Sequence, residues 1–396
     1  MKERALLGRP APPCKPDSPC AGQRILIDSR ARVAHLSPRH EVMSASRIAS
    51  LDALRGLAAL CVVIYHYHML APVGARPLEA GLAWLYGYGE LAVPLFYMLS
   101  GYIFFDAYAE PLGERRLGGR DFFWLRASRL YPLHLLTLLA VAGLQAMASR
   151  AGVANFRYDN NDGLHFLLNL GFLQFGWLVP TMSFNFPSWS LSIEAGLYVA
   201  FFYFGRHFGA AARPRLVFGA LCLALSFGRG LLPLVGPLNV FFAEGLGCFF
   251  VGGCLQLTAR WPERARLWLG LALFVVGAAL FVVSGRLRET TPVAFAGLAL
   301  LAQAAGPFRR AADSRLLGWL GEISYSAYLW QIPVQYVLTI ASATLLALNF
   351  SSPAVLALYL ALTLSVSTLS YRCFEAPARQ LLRRSAFARP LAAIGA

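Results

Sequence analysis

Long apolar runs, separated by short polar or basic stretches, dominate the chain from residue 51 onward. Runs of about 17 to 25 apolar residues are long enough to cross the hydrocarbon core of a bilayer as helices. The pattern therefore predicts an all-α integral membrane protein, a bundle of about ten transmembrane helices. The predicted spans are 51–70, 91–109, 130–148, 187–204, 215–235, 238–259, 266–284, 291–306, 319–341 and 353–373.

Clusters of arginine follow every second predicted span, and this alternation predicts how the bundle is oriented. Basic loops stay on the cytoplasmic side of a membrane, so both chain termini are predicted to be cytoplasmic in a multi-pass plasma (inner) membrane protein. The clusters are Arg115, Arg116, Arg120, Arg126 and Arg129; Arg206, Arg213 and Arg215; Arg260, Arg264 and Arg266; Arg309, Arg310 and Arg315; and Arg372, Arg379, Arg383 and Arg384.

Three segments stand outside these spans. The apolar stretch 163–180 would put every later arginine cluster on the wrong side if it crossed, so it is predicted to be re-entrant or interfacial. Residues 1–46 lack an apolar period and are predicted to be a disordered basic tail, or the result of a mis-assigned start. The membrane domain is predicted over 47–384, followed by a short tail over 385–396.

Composition supports a lipid environment and argues against two other classes. Apolar residues make up 57% of the chain and charged residues only 14%, whereas soluble proteins carry about a quarter charged residues. The net charge of +15 does not predict nucleic-acid binding, because the arginines lie between apolar runs. The histidines and cysteines lack the spacing of metal ligands, so no metal is expected.

The first span carries ionisable side chains that are costly inside a membrane. Arg55 and His66 are 11 residues apart, which puts them on the same helix face about 16 Å apart. Asp52 shares this stripe. Such groups usually face a functional cavity, although a snorkelling arginine and an interfacial histidine are the alternative interpretation.

A second polar pair lies in the fourth span. Ser190 and Glu194 are spaced i and i+4, at a depth similar to that of His66. If Glu194 approached His66, its carboxylate would hold the imidazole in the tautomer that accepts a proton, as the acid does in serine–histidine–aspartate sites. Pairing of Glu194 with an arginine is the alternative.

Two further pairs have weaker specificity. Arg126 and Arg129 present two guanidinium groups at i and i+3, which suits a phosphate, although an orientation signal looks the same. Ser100 and Gly101 form a small pair in the second span, where either a neighbouring helix or a slender ligand can come close.

Taken in order, four stretches resemble the acyltransferase-3 family of membrane O-acyltransferases. They are LDALRGLAALCVVIYHYH, FYMLSGYIFF followed by RASR, PSWSLSIEAGLY, and GEISYSAYLWQIPV with SYRCFEAPAR. The resemblance covers about residues 46 to 384. Two positions depart from the family pattern: Gln331 stands where a histidine is typical, and Pro94 where an acidic residue is common.

The resemblance implies an acyl-CoA-dependent O-acyltransferase with no permanently bound cofactor. The expected acyl group is acetyl, and the expected acceptor is a hydroxyl of a cell-surface glycan such as lipopolysaccharide, a lipid-linked saccharide or a secondary metabolite. A polytopic transporter or flippase is the alternative. The resemblance implies that Arg55, His66, Arg126, Arg129 and Glu194 belong to the site. We expect His66, Arg55 and Glu194 to be catalytic; Arg126, Arg129 and Ser100 to bind the donor; and Trp189, Ser190, Tyr328 and Gln331 to bind substrate.

Overall fold

The computed structural model of the protein describes residues 48–153, 160–179, 181–228, 239–304 and 306–387. Every regular element within these residues is helical, as the apolar periodicity predicts. The predicted tail 1–46 lies outside the described residues. The α-helices are α1 (Ala49–His66), α2 (Glu79–Tyr88), α3 (Ala92–Gly113), α4 (Gly119–Arg150), α5 (Gly163–Leu170), α6 (Trp189–Phe208), α7 (Ala212–Gly228), α8 (Val240–Gln256), α9 (Glu263–Ser284), α10 (Leu287–Gln303), α11 (Pro307–Ala312), α12 (Arg315–Ala341), α13 (Pro353–Ser370) and α14 (Ala376–Phe387).

The described residues include seven helical segments that are long and apolar enough to cross a membrane, which confirms the predicted class of all-helical membrane protein. All ten predicted spans overlap a helix. The three that are not among the seven segments correspond to α6, α7 and α10, and the last two are each 17 residues long. The seven segments are Ala49–Met69, Glu79–Gly113, Gly119–Arg150, Val240–Arg260, Glu263–Ser284, Arg315–Leu346 and Pro353–Arg384.

The stretch predicted to be re-entrant or interfacial contains one short helix. Helix α5 has eight residues, about 12 Å at 1.5 Å per residue, against a hydrocarbon core of about 30 Å. Asp162 caps its first turn, since the side chain accepts a hydrogen bond from the backbone N–H of His165. Turns follow it, so α5 itself cannot cross the membrane.

Helices α1, α3, α8 and α12 form the centre of the bundle, with α1 packed along α12 and α3 along α8. The α1–α12 crossing depends on two glycines. A Cβ added to Gly56 would lie 2.7 Å from the backbone nitrogen of Gly321, and one added to Gly321 would lie 2.6 Å from the carbonyl oxygen of Asp52. Side chains at either position would push the helices apart, and these two helices carry Arg55, His66, Tyr328 and Gln331.

Helix α4 begins at Gly119, so it is longer than the predicted span 130–148. Arg126 and Arg129 therefore lie within a continuous helix instead of at its start. The helix packs against α12 and α14. The hydroxyl of Tyr325 on α12 donates to the carbonyl of Leu130 at 2.7 Å, which joins the two helices beside Arg129.

Candidate active site

Helix α1 carries a charged group near its start and a buried imidazole at its end. Arg55 is half-buried, and its Nη1 lies 3.2 Å from Oδ1 of Asp52, one turn earlier. His66 is only 7% exposed. The predicted stripe of Asp52, Arg55 and His66 is thus occupied by an ion pair at one end and a histidine about 16 Å along the helix.

His66 is positioned by Gln331 of α12. Its Nδ1 lies 3.0 Å from Oε1 of Gln331, and Nε2 of the same amide donates to the backbone carbonyl of Tyr328 at 2.7 Å. Because that carbonyl can only accept, the amide oxygen must face the imidazole. Nδ1 of His66 therefore carries a proton, and Nε2 is the nitrogen that can accept one.

Gln331 thus fills the orienting role that sequence reasoning gave to Glu194. The amide is fully buried, and the ring of Phe186 packs edge-on against the imidazole at 5.0 Å. Glu194 instead accepts a hydrogen bond from Tyr198, one turn further along α6. The sequence could not assign these partners, because His66 and Gln331 are 265 residues apart and meet only where α1 packs on α12.

Glu194 belongs to a separate, charged group of side chains. It interacts electrostatically with Arg129 and Arg55, so pairing with an arginine, the alternative interpretation of this carboxylate, describes its surroundings. Tyr198 was missed by sequence reasoning. The signal was present, because Glu194 and Tyr198 are spaced i and i+4 on one helix face.

These charged residues line a narrow cavity of about 70 Å³, here called the central cavity. Six of the ten predicted site residues line it together, and they come from α1, α3, α4, α6 and α12. Tyr325, which sequence reasoning did not single out, lines it as well. The six are Arg55, Ser100, Arg129, Ser190, Glu194 and Tyr328.

Tyr328 connects the central cavity to the imidazole. Its hydroxyl donates to the carbonyl of Pro187 at 2.7 Å and lies 2.8 Å from the hydroxyl of Ser190. Its backbone carbonyl holds the amide of Gln331, which in turn contacts His66. Tyr328 therefore meets Ser190 through its hydroxyl and the Gln331–His66 pair through its backbone, whereas neither His66 nor Gln331 is among the described residues that line the central cavity.

Arg126 and Arg129 do not act as a matched pair. The Arg126 side chain is buried, with its guanidinium carbon 4.7 Å from the ring centre of Phe104 and 4.6 Å from that of Tyr108. It also donates to the Tyr108 hydroxyl. Arg129 faces the central cavity, whereas Arg126 does not line it. The spacing predicted two guanidinium groups side by side, but the rings of Phe104 and Tyr108 on α3 hold the guanidinium group of Arg126.

Packing determines where two other predicted site residues, Trp189 and Ser100, lie. Trp189 stacks edge-on against Phe175 at 5.5 Å and Phe241 at 5.0 Å, and it does not line the central cavity. Of the small pair on α3, Ser100 lines the cavity. Its neighbour Gly101 lies against α8, where an added Cβ would fall 1.8 Å from the carbonyl oxygen of Phe249.

A second cavity, of about 990 Å³, adjoins the central one. The two share Arg55, Ile103, Arg129 and Tyr325 in their walls. The second cavity continues from there toward the beginning of α1 and the end of the chain, since Ile48 and Arg379 line it. Arg55 and Arg129 therefore stand where the two cavities meet.

The segment before α6 places a further histidine outside the spans. Asp162 accepts from the backbone N–H of His165 at 2.9 Å and contacts its Nδ1 at 2.8 Å, while Nε2 lies 3.1 Å from the hydroxyl of Thr181. The backbone N–H and the imidazole of His165 hold the pKa of the Asp162 carboxyl below its usual range. These contacts hold in place the segment that carries Phe186, the residue whose ring packs against His66.

The apolar helices and the buried polar cavity define a helical membrane protein with an internal polar site. The chain belongs to the acyltransferase-3 family, because the acyltransferase-domain model of that family matches residues 48–372. It is similar to the peptidoglycan O-acetyltransferase OatA of Listeria monocytogenes, with 24% identity over 84% of this chain and 56% of that protein. It is similar to the putative peptidoglycan O-acetyltransferase YrhL of Bacillus subtilis, with 26% identity over 74% of this chain and 50% of that protein.

A third relative matches over nearly its whole length. The putative membrane-bound transacylase BcsY of Komagataeibacter xylinus is 26% identical over 83% of this chain and 82% of its own. The chain spans about half the length of the first two curated relatives. No solved structure matches it. Among the residues that the structure describes, no group of three or more histidine, cysteine, aspartate or glutamate side chains is arranged to hold a metal ion.

Proposed function

We propose that this membrane acyltransferase moves an acyl group, acetyl in the first instance, from acyl-CoA to a hydroxyl of a cell-surface glycan or lipid-linked saccharide. The observation that carries the proposal is the pair of connected cavities that meet at Arg55 and Arg129. In this proposal the thioester arm enters through these cavities, and Tyr328, which lines the central one, links its wall to the Gln331–His66 pair. The names of the relatives support acetyl transfer to a glycan.

His66 acts as the general base in this proposal. Its Nε2 takes the proton of the acceptor hydroxyl while that oxygen attacks the thioester carbonyl. In this proposal the hydroxyls of Ser190 and Tyr328, which bond each other and the Pro187 carbonyl in the structure, turn to donate to the developing oxyanion. When the tetrahedral intermediate collapses, the carbon–sulfur bond breaks and the proton passes to the thiolate. Attack by the imidazole itself, giving an acyl-histidine, is the competing route.

Arg55, Arg129 and Glu194 hold the donor in place. Two guanidinium groups and one carboxylate leave the wall of the central cavity with a surplus positive charge beside the shared opening. The alternating basic loops support ten crossings with both termini in the cytoplasm of a plasma-membrane protein. In that orientation the second cavity would face the cytoplasm, which contains the donor, and His66 would lie on the acceptor side of the membrane.

A labelled donor separates acyl transfer from transport. Purified protein in liposomes would receive acetyl-CoA carrying a radioactive acetyl group, with a lipid-linked glycan as acceptor. The proposal predicts that label accumulates on the glycan with wild-type protein and does not accumulate with the His66→Ala variant. A glycan that crosses the bilayer without acquiring label would instead favour a flippase and reject the enzyme.

A further inference from the structure

A third cavity, of about 860 Å³, borders the beginning of α1. Its wall combines the first residues of α1 with the end of α10, and it shares Ile48 with the second cavity. Three cavities therefore follow one another around the first helix. The charged residues in the wall of the third are Arg266, Arg309 and Asp313.

The balance of charge differs between the second and third cavities. The second has three arginines, Arg55, Arg129 and Arg379, and three carboxylates, Asp52, Glu322 and Glu375, so its lining is formally neutral. In the described lining of the third, two arginines face a single aspartate. A polyanion gains more from the third cavity, whereas a neutral arm suits the second.

Both arginines of the third cavity retain donors for a ligand. Nε of Arg266 is buried and makes no hydrogen bond within the described residues. Within the described residues, the contacts of Arg309 are long: 3.5 Å from its Nη1 to Oε1 of Glu263 and 3.5 Å to the carbonyl of Gln303. By contrast, Arg215 is held by Gln256 at 2.8 Å and by the carbonyl of Ala210 at 2.9 Å.

We propose that the third cavity binds the phosphate groups of the acyl-CoA nucleotide through Arg266 and Arg309. The inference rests on the proposed acyl-CoA-dependent function and assigns the phosphate contacts to residues outside the Arg126–Arg129 pair. The uncharged pantetheine arm then runs past Ile48 through the second cavity, and the thioester reaches the central cavity between Arg55 and Arg129. Guanidinium groups suit this role because they bind phosphate oxygens bidentately.

Truncated donors provide the kinetic test. In the Arg266→Gln and Arg309→Gln double variant, KM for acetyl-CoA should rise at least about tenfold, since each lost charge-assisted hydrogen bond weakens binding. KM for acetyl-pantetheine, which lacks phosphate, should not change. Arg264→Gln and Arg310→Gln are matched controls, because these neighbouring arginines do not line the third cavity. Equal shifts for both donors, or no shift, would overturn the assignment.

Direct binding separates this inference from the proposed function. Calorimetry with adenosine 3′,5′-bisphosphate, which carries phosphates but no acyl group, should show binding to wild-type protein and at least about tenfold weaker binding to the double variant. Equal binding to both proteins, or none to wild type, rejects the site whether or not the enzyme transfers acetyl groups. Nanodiscs with and without phosphatidylglycerol test a lipid headgroup as occupant: a loss of binding that depends on this lipid would also reject the assignment.

Discussion

The central cavity and the His66–Gln331 pair lie along the same two helices, α1 and α12, yet they differ in charge. The ionisable side chains of Arg55, Arg129 and Glu194 line the cavity. At the other end, an imidazole contacts an uncharged amide at 3.0 Å. One region can hold a polar donor between ionisable side chains, and the other can accept a proton at an imidazole that an uncharged amide orients.

In the proposed mechanism, this difference assigns donor binding to the central cavity and proton transfer to His66. Charged side chains that share a poorly hydrated cavity interact strongly, so they can hold a donor but tolerate little change. A neutral amide fixes the imidazole tautomer without adding charge beside it. Substitutions at the two ends should therefore affect different kinetic parameters.

The largest effect is expected from His66→Ala. Loss of a general base lowers kcat by about 10²- to 10⁴-fold, because proton transfer contributes that much in comparable sites. His68→Ala is the matched control, since Nδ1 of His68 contacts the carbonyl of Tyr65 instead of Gln331. Rates would be measured on folded, membrane-inserted protein. A wild-type kcat for His66→Ala would remove this residue from the chemistry.

Gln331→Leu should lower kcat by about tenfold to a hundredfold with little change in KM, because only the orientation of the imidazole is lost. Gln331→His, which introduces the residue typical of the family, should recover much of the rate by supplying a new partner for Nδ1 of His66. A purely structural role for Gln331 predicts instead that both variants lose thermal stability and activity in parallel.

The two arginines of α4 should separate donor binding from packing. Arg129→Ala is expected to raise KM for acetyl-CoA by about tenfold, as the lost group faces both cavities. Arg126→Ala should mainly lower the melting temperature, since its guanidinium lies on Phe104 and Tyr108. Comparable KM increases in both variants would restore the paired phosphate site that the spacing predicts.

The smallest effect is expected at the helix crossing that supports both regions. Gly56→Ala should lower the free energy of unfolding by about 1–3 kcal/mol, because the new methyl group meets the backbone of α12. Gly318→Ala is the control, as a Cβ there has nothing within 4 Å. Denaturation in micelles measures both. Unchanged stability of Gly56→Ala would mean that the helices can separate without cost.

Much of the fold could be predicted from the order of apolar and polar residues. Each predicted span overlaps a helix, because the chain must satisfy its backbone hydrogen bonds internally in lipid. Helix ends were harder to predict. Helix α4 begins at Gly119, well before residue 130, because helical backbone hydrogen bonding continues through the more polar residues that precede the apolar run.

The sequence by itself determined that the protein is a helical membrane protein of the acyltransferase-3 family and that Arg55, Ser190 and Glu194 are polar groups inside the bundle. Only the tertiary structure decided their partners. Gln331 reaches His66, and Tyr198 rather than His66 donates to Glu194. Helical periodicity gives the face on which a side chain lies, but the residue it meets depends on how closely another helix can approach, here through Gly56 and Gly321.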